Sequence, residues 1–131
     1  MIFERLPKIT KVEGGTTSLK SSDVSLDNYR IAAFLFENDE GNSLNIKIKA
    51  SGGIIAPAYT SFYFKPADAA EFSEVVQNEK ILTGGGLFIA AVTADSLGRG
   101  EFDRVSIELT SAADIEPVFI LQTQPRYENN E

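Results

Sequence analysis

The chain has 131 residues, 43% of them hydrophobic and 10% aromatic, with no histidine, no cysteine and a formal charge of −7. Length and apolar content fit one domain with a real core. The missing residue types exclude an imidazole base, a thiolate nucleophile, a disulfide framework and a soft metal site.

With 12 basic residues against 19 acidic ones, no phosphate-binding patch is expected, so neither nucleic acid nor an anionic membrane surface fits as partner. The opening Met1-Ile2-Phe3-Glu4-Arg5-Leu6-Pro7 lacks the basic-then-apolar plan of a signal peptide. No apolar run approaches the ~20 residues of a membrane helix. Synthesis in the cytoplasm is the expectation.

In chain order, residues 1–16 carry Ile2, Phe3, Leu6, Ile9 and Val12 without a stable period, and Pro7 and Gly14-Gly15 interrupt them. They read as an N-terminal arm that docks in extended form, on its own domain or on a neighbour. Polar clusters follow at Thr16–Ser18 and Ser21–Asp23. Tyr29–Phe36 reads as the first strand, apolar on both faces toward its end as a central strand would be. The turn Glu37–Asn42 leads into Leu44–Lys49, which alternates with Leu44, Ile46 and Ile48 inward. The two strands read as a hairpin.

Tyr59–Lys65 is an aromatic-rich strand stopped by Pro66. Residues 67–76 fit a short helix or a strand equally. After Gly84-Gly85-Gly86 comes Leu87–Ala94, a buried strand. Arg104–Thr110 alternates with Val105, Ile107 and Leu109 inward. Pro117–Gln124 is the last strand, its proline at the start, where a missing N–H costs least. Glu128–Glu131 reads as a frayed tail. The domain plan is therefore an arm (1–16), one domain (17–127) and a tail (128–131). Six to eight regularly spaced strands with little helix predict an all-β antiparallel sandwich of jelly-roll or immunoglobulin-like type.

No constellation supports catalysis, so the chain reads as a non-enzyme with no cofactor and no metal. Glu37, Asp39 and Glu40 share a loop but lack the alternating spacing of a Ca²⁺ site. Gly84–Gly86 precedes a strand where a phosphate cradle would open a helix. Asp68, Glu71, Glu74, Asp95, Glu101 and Asp103 read as solubilising surface and not as a glycosidase pair. Tyr59, Phe62, Tyr63 and Phe64 form the densest aromatic group. Phe62 and Phe64 read as core, leaving Tyr59 and Tyr63 on one opposite face as interface candidates. Arg126 beside Tyr127 is a further candidate contact.

The succession of Tyr29–Phe36, the acidic-Gly turn, Leu44–Lys49, Phe72-Ser73-Glu74-Val75, Glu101–Leu109 and Gln124-Pro125-Arg126-Tyr127 resembles small structural proteins of tailed-phage and prophage head gene clusters. The likeness covers roughly residues 28–127. It implies a capsid decoration or cement protein on the virion surface, bound to the major capsid protein and forming a homo-oligomer, dimer or trimer. Its contacts would involve Ile2, Phe3, Leu6, Ile9, Tyr59, Tyr63, Arg126 and Tyr127. The alternative is a carbohydrate- or receptor-binding β module of a tail or fibre.

Overall fold

Among the described residues the regular structure is twelve strands and one 3-10 turn (Asp95–Leu97): β1 (Lys8–Val12), β2 (Gly15–Lys20), β3 (Val24–Ser25), β4 (Tyr29–Asn38), β5 (Leu44–Ser51), β6 (Ala58–Thr60), β7 (Phe62–Pro66), β8 (Ser73–Val75), β9 (Lys80–Leu82), β10 (Gly86–Thr93), β11 (Arg104–Ile115) and β12 (Val118–Pro125). The structure is a computed structural model that describes residues 7–27, 29–53, 56–97 and 102–125. No helix among the described residues is long and apolar enough to cross a membrane.

The strands form two antiparallel sheets. Sheet I runs β1-β12-β4-β10-β7-β8 and sheet II runs β2-β11-β5-β6, with β3 also on β11 and β9 also on β5. An all-β antiparallel sandwich results, as the alternation predicts. Phe34, Phe36, Phe62, Phe64, Phe88 and Ile120 of sheet I meet Leu44, Ile46, Ile48, Val105, Ile107 and Leu109 of sheet II in one core. Within it Phe36, Phe64 and Phe88 lie with ring centroids 5.6–6.5 Å apart, a spacing at which offset rings attract.

Two local expectations need correction. First, β4 and β5 do not form a hairpin. β4 pairs with β10 and β12 in sheet I, and β5 pairs with β11, β6 and β9 in sheet II. The connection is an arch from one sheet to the other, and side-chain amides hold it. Asn38, 4% exposed, donates to the carbonyls of Asn42 and Gly84, each at 2.9 Å. Asn42 donates to Asn38 Oδ1 at 3.0 Å and to Ser111 Oγ at 2.8 Å. These bonds satisfy polar groups that a hairpin ladder would otherwise have paired. Gly41, at φ 83°, supplies the left-handed residue the arch needs.

Second, Tyr59–Lys65 is two strands. The chain leaves sheet II after Thr60 and joins sheet I at Phe62, so Ser61 is a crossing point. Tyr59 and Tyr63, four residues apart in sequence, therefore lie on different sheets and do not share a face. The described part of the N-terminal arm docks in extended form on its own domain. Lys8–Val12 is the edge strand of sheet I, registered on β12 from Lys8 opposite Gln122 to Val12 opposite Val118. Val12 packs against the core. The boundary at residue 16 falls inside β2, and at Gly14 a Cβ would strike the Ile115 carbonyl. Of residues 67–76, only Ser73–Val75 forms a strand, on the edge of sheet I.

Candidate interaction surfaces

Residues directly paired across antiparallel strands project from the same face of the sheet. The register of sheet I therefore dictates what its outer face presents. One row reads Ile9, Leu121, Ala33, Ala91, Tyr63, Glu74 from β1 to β8. The next reads Lys11, Phe119, Leu35, Ile89, Lys65. Thr123, Ile31 and Thr93 lie on one side of this pair of rows, and Glu37 and Leu87 on the other.

The centre of this face is apolar, with Ala91 buried and Ala33, Leu35 and Ile89 half-buried, and exposed apolar side chains lie around it. Ile9 is 70% exposed, Leu87 51%, Phe119 41% and Leu121 37%. Eight large apolar side chains are exposed among the described residues, and half of them gather here. Such concentration separates a patch from the scattered surface leucines every protein carries. The flanking cations are engaged within the chain. Lys65 donates to the Ala69 carbonyl at 2.8 Å and lies 5.3 Å from the Phe72 ring centroid, and Lys11 lies 3.8 Å from Glu13.

The outer face of sheet II is charged. Lys20, Glu108 and Lys47 are paired across β2, β11 and β5, and Lys49 stands opposite Tyr59 of β6. The Tyr59 ring lies 5.1 Å from Lys47 Nζ and 5.6 Å from Lys49 Nζ, within cation–π range. Its hydroxyl donates to Glu108 Oε1 at 2.8 Å. Lys20 Nζ lies 3.9 Å from the other Glu108 oxygen.

The Glu108 bond raises the Tyr59 pKa, with partial burial and the carboxylate charge acting in the same direction. A phenol raised in the folded state stabilises the fold at pH below its unfolded value near 10, and that contribution is lost as pH rises through the folded value. Alkaline absorbance titration should therefore show Tyr59, one of four tyrosines, ionising above the ordinary phenol range. The late component should vanish in Tyr59→Phe and move down in Glu108→Ala. A titration unchanged by Glu108→Ala would show the bond absent in solution.

A third feature is a cleft of about 330 Å³ beside β1, β3 and β12, bordered by Lys8, Thr10, Asp23, Ser25, Tyr29 and Gln122. Gln122 is 4% exposed and donates to the Ser25 carbonyl at 2.8 Å. Among the described residues no three acidic side chains gather as a metal site would require.

Of the sequence candidates, Ile9 and Tyr63 lie in one row on the outer face of sheet I, and Tyr59 lies on sheet II. Ile2, Phe3, Leu6, Arg126 and Tyr127 fall outside the described residues. Phe119, Leu121, Leu87, Leu35, Ile89, Ile31 and Ala33 were not among the candidates. The signal was present, since Tyr29–Phe36 and Leu87–Ala94 are apolar on both faces. That pattern fits a strand buried on both sides, and equally one whose second face waits for a partner.

No protein-family model matches the chain, and no curated protein matches it in sequence. In structure it is similar to the SPBc2 prophage-derived protein YomS, with a TM-score of 0.56 at 12% identity over 94% of this chain and 100% of that one. The likeness is one of fold.

Proposed function

We propose that the chain is a non-catalytic structural protein of a tailed phage, a decoration or cement protein that binds the major capsid shell by protein–protein contacts. The observation that carries this reading is the division of the sandwich into two outer faces, one apolar and one charged. Each offers a broad surface to another protein, where an enzyme would present a deep pocket with convergent acid–base groups. The fold shared with a prophage-derived protein supports a phage-associated origin. The mechanism is mechanical: a rigid domain bridges neighbouring shell subunits and stabilises the assembly by mass action, because only the assembled shell offers the complete site.

The test is co-sedimentation of the purified chain with shells assembled from the major capsid protein of the phage or prophage that encodes it. Saturable retention is expected, with a rise in the temperature at which shells come apart. Protein that stays in the supernatant, with shell melting unchanged, would overturn the reading. The cleft beside Lys8 and Gln122, with its hydroxyl and amide groups, favours a second reading, a carbohydrate-binding module of a tail or fibre. Retention on immobilised glycans in place of shells would select it.

A further inference from the structure

We infer that the outer face of sheet I is a two-fold interface, and that its occupant is a second copy of this chain. From β1 to β7 the face carries fifteen outward positions in rows of five, five, three and two, and at ~4.8 Å between strands and ~6.8 Å between rows that is a footprint on the order of 500 Å² per copy. Two copies facing each other would bury roughly 1,000 Å², the threshold for a specific interface and the size of a weak, reversible one. The centre is suited to desolvation. Ala33 and Ala91 form a shallow floor, with Leu121 and Tyr63 beside them in the same row and Phe119, Leu35 and Ile89 in the next.

Shape selects a copy of the same chain, and charge opposes it only weakly. Two sheets of identical twist stack face to face at ~10 Å with their strands within about 30°. An identical chain brings matching twist and an equal apolar area. The chain as a whole carries −7, which opposes self-association. At this face the opposition is small, because Lys11 is paired with Glu13 and Lys65 stands against Glu37 and Glu74. A two-fold contact uses the same patch on both partners, so it closes at two. It therefore selects a dimer over a trimer. Each copy then turns its charged sheet II outward, and the pair presents two such faces for bridging. The inference stands on the sheet face alone. A dimer that ignores capsid shells would leave it intact while removing the decoration reading.

The experiment is sedimentation velocity on the full chain over roughly 1–100 µM, which brackets the weak end expected for an interface of this size. A monomer–dimer equilibrium is expected. Leu121→Lys should weaken it on the order of a hundredfold, because the dimer would bury an unpaired charge. Ile81→Lys, on an exposed side chain of sheet II, should leave it unchanged. Where Leu121→Lys proves unfolded by circular dichroism, Ile9→Lys at the exposed edge serves in its place. The chain has no cysteine, so Leu121→Cys gives a single label for a short bismaleimide, and covalent dimers are expected. A wild-type monomer throughout the range, or an oligomer indifferent to the lysine variant that folds, would overturn the proposal.

Discussion

Phe34→Ala should destabilise the domain by about 3–5 kcal/mol, the range for truncating a buried phenylalanine. Phe34 is 0% exposed and sits on β4 between Ile120 of β12 and Ala90 of β10. The small Ala90 on one side cannot fill the vacated space, and β4 is held on both edges, so its backbone cannot collapse inward. The removed ring forfeits its transfer free energy and leaves a cavity lined by the opposite sheet. Domains of this kind are stable by only about 5–15 kcal/mol in total, so the loss is a large part of the whole. Urea denaturation at one fixed protein concentration measures it, and the fixed concentration matters because dimerisation would add to apparent stability. A change below about 1 kcal/mol would mean that the central strand of sheet I is not packed as described.

Ile107→Ala is expected to cost about 2–5 kcal/mol by the same mechanism on the opposing sheet. Ile107 is 0% exposed, stands opposite Ile48 of β5, and is one of three consecutive inward residues of β11 with Val105 and Leu109. Its backbone is engaged twice by Ser21. The Ile107 N–H donates to Ser21 Oγ at 3.0 Å, and its carbonyl accepts from the Ser21 N–H at 3.0 Å. Those bonds pin the strand, so the cavity stays open instead of closing by a backbone shift. The contrast is Ile81→Ala, where a side chain 59% exposed should cost less than about 0.5 kcal/mol. Equal losses at the two positions would show that burial does not distinguish them.

The inward set Ile46, Ile48, Val105, Ile107 and Leu109 was legible because a strand's period of two is local. Six residues in a row state which side is apolar without knowing what lies opposite. The class of fold followed from the same local periodicity. The arch at Asn38–Asn42 was not legible, since an acidic-Gly turn between two apolar strands is the same chemistry whether the second strand returns beside the first or crosses the core. Asn38 reveals the difference only through Gly84, 46 residues away. The crossing at Ser61 was hidden for a related reason: the alternation of Tyr59–Lys65 continues unbroken while the chain changes sheets. β1 has almost no pattern of its own and is a strand because β12 lends it a ladder.

For the candidate surface, the sequence by itself determined that β4 and β10 are apolar on both sides, and that no histidine or cysteine chemistry operates. Only the tertiary structure decided that one of those sides is covered by sheet II and that the other has no sheet of the described residues packed on it. The number of layers stacked on a sheet is a property of where distant segments go, and no local period records it.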